Sequence, residues 1–370
     1  MKVKAAVLYE PNTPIVVKEV ELDPPKANEV LVKMVASGVC HSDYHIVTGD
    51  LPSNHYPIIC GHEGAGIVES VGPQVTRVKP GDHVVMSFLP SCGQCYYCRT
   101  GQTNLCNQGA HILNGPQLDG TFRFHDGETG IGQLCLVSTF SEYTVVPEMS
   151  VVKIEDDIPL QLACLVGCGV GTGVGAVINR AKVREGSSVV VIGLGGIGMN
   201  AVQGARLAGA TKIIVADINA SKLEKAKQFG ATHTIDSSTE DVVAKVKEIT
   251  YNEGVDYSFL TVDYVTPELI GQAYWCIRKG GTCVVVGLSN PKHQTANVMP
   301  LDLVLTEKTV MGTLYGKSEP FTDIPRYLEL HNQGKLDLQG LVTKNYTLEQ
   351  VNEAFEDMMA GKNIRGVILY

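Results

Sequence analysis

The sequence predicts an α/β protein in which a doubly wound parallel sheet is joined to a β-barrel-like domain. Three observations carry that reading. The β-branched run Val189, Val190, Val191 and Ile192 leads into G-x-G-x-x-G at Gly193, Gly195 and Gly198 and then into a helical pattern, as a strand covered on both faces would. Downstream, strand and helix patterns alternate, which implies parallel pairing. Upstream, short runs broken by Pro, Asn and Gly suggest a small antiparallel unit. At 370 residues the chain exceeds one typical core, so two domains are expected.

A formal charge of -9 argues against a nucleic-acid or anionic-membrane partner, because binding phosphates needs clustered Lys and Arg. The start MKVKAAVLYEP lacks a signal-type apolar run, and no stretch of about 18 uninterrupted apolar residues occurs; a cytoplasmic location is expected. The eleven cysteines, an odd number with four crowded between Cys92 and Cys106, point to thiolate ligands rather than a disulfide framework.

In chain order, AAVLY, IVVKEVEL and EVLVKMVAS read as strands of the antiparallel unit. Two segments rich in metal-ligating residue types follow: Cys40, His41, Asp43 and His45, then Cys60, His62 and Glu63. Next, Cys92-x2-Cys95-x2-Cys98-x7-Cys106 can close tetrahedrally on a structural zinc ion with no position left for substrate. An iron–sulfur cluster is the other reading that this spacing leaves open. The polar, glycine-rich region 109–132 reads as a long surface loop, and FSEYTVVP and SVVKI as strands. Residues 160–181 look helical but glycine-laden, crossing from the first domain to the second with Cys168 inside.

At the glycine turn, Gly193 suits a tight bend, Gly195 lets the backbone approach a pyrophosphate and Gly198 allows close packing of the helix. A helix opening at Ile197, next to Gly196, directs unpaired N–H groups toward those phosphates. The strand Lys212 to Ala216 ends in Asp217, where a carboxylate can bind a ribose 2′-hydroxyl and would repel a 2′-phosphate, favouring NAD over NADP. THTID, VDYSFLTV, GTCVVVGL and KTVMGTLYG, with intervening helices, complete a six-strand sheet. The helices DIPRYLELHNQGK and LEQVNEAFEDMMAGK and the strand RGVILY fall outside that count and are expected to return to the first domain.

With the four-cysteine lobe set aside, Cys40, His62 and Cys168 remain. Taken singly each reads as a buried Cys or a hydrogen-bonded core His; together they make a catalytic zinc set with an open fourth position. Sequence distance cannot bring them together. C-H-S-D-x-H at Cys40 to His45, GHEGAGIVESVG, the cysteine lobe, VGCGVGTGVGA and GLGGIG, in order along the whole chain, resemble the medium-chain zinc-dependent alcohol dehydrogenases. LDGTFRFH, STFSEYTVVPE, CLVGCGV and GKNIRGVILY are most similar to the nicotinoprotein branch, whose artificial acceptor is N,N-dimethyl-4-nitrosoaniline.

That resemblance implies a GroES-like catalytic domain over 1–169 and 315–370 and a Rossmann NAD domain over 170–314. It implies two zinc ions per subunit, one on Cys40, His62 and Cys168 and one on Cys92, Cys95, Cys98 and Cys106. Glu63 would lie beside the catalytic metal, Asp43 would orient His62, Phe88 would wall the substrate pocket, and Ser42 and His45 would relay the alcohol proton. His41 and Arg365 would contact the pyrophosphate, Lys222 the adenosine ribose and Thr172 the nicotinamide side. Val262, Val286, Gly287, Leu288, Thr313 and Tyr315 would line the nicotinamide half of the cleft.

The expected activity is hydride transfer between an uncharged primary or secondary alcohol, or its aldehyde or ketone, and an NAD that stays bound, in a homodimer or homotetramer. A second expectation is a thiol-dependent formaldehyde dehydrogenase whose 109–132 loop binds an S-hydroxymethyl adduct, although His45 stands where the glutathione-dependent branch usually carries tyrosine. From another class comes a catalytically silent protein that keeps the zinc and NAD sites.

Overall fold

Val189, Val190 and Val191 sit fully buried in the strand Ser188–Ile192, near the centre of a six-stranded parallel sheet. The sheet belongs to a computed structural model describing residues 1–290 and 292–370. Contacts divide the chain into two units, one of 169–318 with 335–337 and one of 1–168, 319–334 and 338–370. Across the sheet the strands run His233–Asp236, Lys212–Asp217, Ser188–Ile192, Val255–Leu260, Ile277–Val285 and Thr309–Gly312. All neighbours are parallel. In chain order this is 3-2-1-4-5-6, the doubly wound arrangement whose ligand crevice lies past the carboxyl ends of the strands where the order reverses.

The glycine turn stands at that reversal. Gly193 has φ +94°, which only glycine adopts readily. A Cβ on Gly198 would overlap the Gly193 carbonyl, so the turn can be this tight only without side chains. The helix spans Gly196–Leu207 and so opens one residue before the expected Ile197.

The other unit holds a closed barrel of Lys2–Leu8, Val16–Leu22, Phe124–Asp126, Thr129–Gln133 and Ile58–Ile59. Beside it lies a sheet organised around the long strand Glu29–Val39, which pairs with Glu63–Val71, Tyr143–Pro147 and Arg365–Leu369. The register puts Gly38 opposite Glu63 and Val39 opposite Gly366. One end of the long strand therefore gathers Cys40, His62, Glu63 and Arg365. Among the described residues no single helix is long and apolar enough to cross a membrane.

Two local expectations change. Residues 160–181 are not one helix: a helix over Leu160–Ala163 passes through a 3-10 turn over Cys164–Gly167, and Cys168 leaves helical geometry at φ -143°, ψ -75° before Gly169–Gly175. The segment 109–132 is a surface loop only in part. Its second half forms the hairpin Phe124–Asp126 with Thr129–Gln133, which closes the barrel. Fully buried Arg123 leads into it, with Nε 2.8 Å from Glu29 Oε2 and Nη2 2.5 Å from Glu29 Oε1. The polar composition that suggested exposure hides an ion pair whose partner is 94 residues away. Removing one member of a buried pair strands the other charge, so Arg123→Ala should lower urea-unfolding stability by about 3–5 kcal/mol. A loss under about 1 kcal/mol would mean that water reaches Glu29.

Candidate metal centres and dinucleotide site

Cys40 ends the long strand in extended geometry, φ -130° and ψ 150°, and the helix His41–Thr48 starts immediately after it. His62 follows Gly61, whose φ of +87° turns the chain into the strand Glu63–Val71. The break in the 160–181 segment brings in Cys168. One ligand atom from each of Cys40, His62, Glu63 and Cys168 lies within 4.8 Å of all the others, and all four residues are buried.

Asp43 sets the histidine. Its Oδ1 lies 3.0 Å from His62 Nδ1 and accepts Gly61 N–H at 2.8 Å. This orients the ring and leaves Nε2 buried without a hydrogen bond of good geometry; although burial opposes the charge, Asp43 and Cys40 raise the His62 pKa well above the ordinary imidazole range. A buried polar atom without a good hydrogen bond costs energy unless something binds it. Two soft sulfurs, an imidazole nitrogen and a carboxylate at mutual contact distance suit zinc.

The protonation pattern fits as well. A hydrogen bond from Cys168, aided by His62, holds Cys40 well below the ordinary thiol range despite burial. That same bond, together with burial, pushes Cys168 up. Burial pushes the Glu63 carboxyl up to about 7 against the opposing pull of Arg365.

Arg365 makes a contact that the sequence did not suggest. It is buried, with Nη2 on Glu63 Oε2 and, at 3.1 Å, on the Val39 carbonyl, while Nε has no hydrogen-bond partner among the described residues. Burial disfavours its charge, but Glu63 and Cys40 more than offset that and raise its pKa further. The pair spans 302 positions and left no trace in the sequence. Gly38 permits it, since a Cβ there would overlap Glu63 Oε2.

Around this centre Phe88 meets His62 edge-on with ring centroids 5.7 Å apart, and Ser42 Oγ lies 3.8 Å from Cys40 Sγ. His45, one helical turn beyond Ser42, is buried, with Nδ1 3.8 Å from the half-exposed carboxylate of Asp50. His41 is the first residue of that helix and is half-buried.

The sulfurs of Cys92, Cys95, Cys98 and Cys106 also lie within 4.8 Å of one another. The Cys92–Cys98 and Cys95–Cys106 separations are 3.9 and 4.0 Å. A tetrahedron of sulfurs at zinc-bond length has edges of about 3.8 Å, whereas a cluster interposing several irons and sulfides would push its cysteines farther apart. Cys92 N–H donates to Cys106 Sγ and Cys95 N–H to Cys92 Sγ, both at 3.4 Å, which favours thiolates. Little else supports the lobe: its helix Tyr96–Arg99 buries no residue.

In the other unit, the expected cofactor residues line the carboxyl ends of the strands. Gly195 has nothing within 4 Å of where a Cβ would be, an open cradle at the helix start that suits a phosphate. Asp217 Oδ2 accepts Leu194 N–H at 2.6 Å and Oδ1 accepts Asn219 N–H at 2.8 Å, so it braces the glycine turn and keeps acceptor capacity for a hydroxyl. Val262 packs on Gly193. Val286 and Gly287 donate to the Leu260 carbonyl, Leu288 accepts from Val265 and Thr313 donates to Val285. Thr172 and Tyr315 are buried, and Lys222 is half-buried near the start of the helix Ala220–Phe229.

A soft-ligand metal centre in a barrel domain, carried on one chain with a dinucleotide-type glycine turn, is the equipment of a metal-dependent dehydrogenase. Residues 26–156 match the alcohol dehydrogenase GroES-like domain and residues 196–333 the zinc-binding dehydrogenase family. Over 370 residues the chain is 50% identical to an NDMA-dependent alcohol dehydrogenase of Amycolatopsis methanolica, covering all of this chain and 99% of that protein. It is 42% identical over 380 residues to an S-(hydroxymethyl)glutathione dehydrogenase of Paracoccus denitrificans, with both chains covered in full. The crystal structure of benzyl alcohol dehydrogenase from Acinetobacter calcoaceticus superposes with a TM-score of 0.94 at 35% identity, covering all of this chain and 99% of that one. The chain belongs to the zinc-binding medium-chain alcohol dehydrogenases and is an oxidoreductase.

Because the lobe has so little apolar support, metal removal by a chelator should abolish amide hydrogen-exchange protection over residues 91–111 while the parallel sheet keeps its protection. Equal protection with and without metal would show that the lobe holds itself together.

Proposed function

We propose that this protein oxidises uncharged primary or secondary alcohols, and reduces the matching aldehydes or ketones, using NAD and two zinc ions per chain. The observation that carries the reading is the orphaned His62 Nε2 facing two cysteine sulfurs, with Asp43 fixing the ring behind it. When bound, a zinc ion supplies the Lewis acidity that ionises a hydroxyl near neutral pH, and the nicotinamide supplies the hydride acceptor.

The chain's own residues do the rest. Cys40, His62 and Cys168 hold the metal, and Glu63 stands beside it as a carboxylate restrained by Arg365. That guanidinium pairs with Glu63 through Nη2, so its charge is partly offset at the centre. Phe88 gives the pocket an apolar wall. Ser42 takes the alcohol proton and His45, with Asp50 alongside, passes it toward water. Gly195, with the amides that open its helix, receives the pyrophosphate, and Asp217 accepts a ribose hydroxyl. Closure of the barrel by the two strands at the end of the 109–132 segment leaves less loop for a thiol adduct and weighs toward simple alcohols.

Resemblance to the NDMA-dependent relative supports a dinucleotide that stays bound and is reoxidised in place. Self-association into a homodimer or homotetramer is supported by the helix Pro300–Leu305. Its Asp302 is tied to the Tyr274 hydroxyl at 2.5 Å and to Lys308 at 3.2 Å. Leu301, Val304 and Leu305 are 60%, 72% and 72% exposed, beside the edge strand Thr309–Gly312. All eleven cysteines are unbridged, in keeping with a reducing cytoplasm.

Cys40→Ser should lower alcohol turnover by more than about a hundredfold, beyond what residues outside the ligand set usually carry. Dinucleotide affinity, read by fluorescence titration with NADH, should stay within about twofold. Equal losses of both would contradict the division of labour. Native mass spectrometry of the purified protein should report an even-numbered oligomer with two zinc ions and one dinucleotide per chain; a bare monomer would sink the retained-cofactor and assembly readings together.

A further inference from the structure

Three consecutive carbonyls lead into His62, those of Ile59, Cys60 and Gly61, and one short turn takes all three. Ser138 Oγ donates to Ile59 O at 2.5 Å, Phe140 N–H to Cys60 O at 3.1 Å and Thr139 N–H to Gly61 O at 2.9 Å. Side chains follow the same path. A Cβ on Gly61 would stand 2.6 Å from Phe140 N and from Thr139 Oγ1, and one on Gly64 would overlap Thr139 Cγ2. His62 and Glu63 thus lie between two glycines that let this turn press directly on the strand.

The turn is held in an unfavourable shape. Cys135, Leu136 and Ser138 have φ of 57°, 63° and 45°, left-handed values that side-chain-bearing residues rarely adopt, and all three are buried. Such a conformation persists only where the surroundings over-determine it, and it tends to collect at functional sites. Here the surroundings are explicit. Ser138 Oγ also accepts Leu134 N–H at 2.9 Å, closing the turn on itself. Thr139 Oγ1 is 2.6 Å from Ser37 Oγ, Tyr370 OH donates to Thr139 O at 2.5 Å, and Ala6 N–H donates to Phe140 O at 2.9 Å. Three other strands or strand ends therefore fix the turn, and its hydroxyl fixes the chain before His62.

We propose that Ser138–Thr139–Phe140 is a positioning clamp for the inner metal centre, with the Ser138 hydroxyl as its pin. This rests on the reading of Cys40, His62 and Cys168 as that centre's ligands and adds what holds the histidine at its height. Asp43 orients the ring about its own axis; the clamp fixes the backbone that carries the ring. Without the Ser138–Ile59 bond the strained turn relaxes away from Ile59 to Gly61, and His62 Nε2 drifts relative to the two sulfurs. Metal bonds tolerate only a few tenths of an ångström of such drift.

The test uses the full-length, zinc-loaded protein and follows release to a chromophoric chelator, along with the visible spectrum of the cobalt(II)-substituted protein. Cys40→Ser identifies the inner phase by removing it. Ser138→Ala and Ser138→Gly both delete the pin, and glycine adopts φ 45° without strain, so the second variant folds if the first does not. Both should release the inner metal about tenfold faster or more with a shifted cobalt spectrum and an unchanged four-cysteine phase. Ser238→Ala, whose hydroxyl donates to Asp236 Oδ1 in the other unit, should behave as wild type. The clamp is overturned by wild-type release and spectrum in a folded Ser138 variant, by restoration in Ser138→Gly alone, or by equal acceleration of both phases. If Cys40→Ser keeps both phases, the ligand reading fails and the clamp falls with it.

Discussion

The inner metal centre depends on a geometric constraint: an imidazole nitrogen and two sulfurs from three distant stretches must converge, and none of the three is positioned by its own local structure. Cys40 is located by the end of the long strand Glu29–Val39, and His62 by a glycine corner and the Asp43 carboxylate. Cys168 is located by a break in what the sequence presents as helix. The sheet register that sets Gly38 against Glu63 and Val39 against Gly366 makes these positions mutually consistent. A one-residue slip in that register would reverse every side chain on the strand and take Glu63 away from Arg365.

Electrostatics at this centre follow from its burial. Glu63 and Arg365 are both removed from water, and each is tolerable there because of the other. Their pairing keeps the Glu63 carboxylate beside the ligand atoms of Cys40, His62 and Cys168. Asp43 uses a single oxygen, Oδ1, to accept both the Gly61 amide and the His62 imidazole, coupling backbone placement to ring orientation. In the other unit Asp217 has a similar double use: its two oxygens accept the Leu194 amide of the glycine turn and the Asn219 amide before the next helix.

Much of this was legible in the order of residues. The β-branched strand and its glycines identified the doubly wound sheet because close backbone packing admits only glycine at Gly193 and Gly198. The four-cysteine spacing identified the lobe because its ligands are close in sequence. The 109–132 segment misled because composition reports average exposure, whereas Arg123 is buried by one specific partner. The helical periodicity of 160–181 misled because it carries no mark of the single non-helical residue, Cys168, that matters.

The sequence alone determined which chemical groups the protein possesses and which local turns they occupy, since glycine turns, ligand spacing and strand patterning are short-range properties. Only the tertiary structure decided which groups meet: His62 with Asp43 behind it, Glu63 with Arg365, and the turn at Ser138 with the carbonyls before His62. Those pairings depend on sheet register and chain crossover, which arise from burying whole faces of apolar surface at once. No individual pair of residues carries that information along the chain.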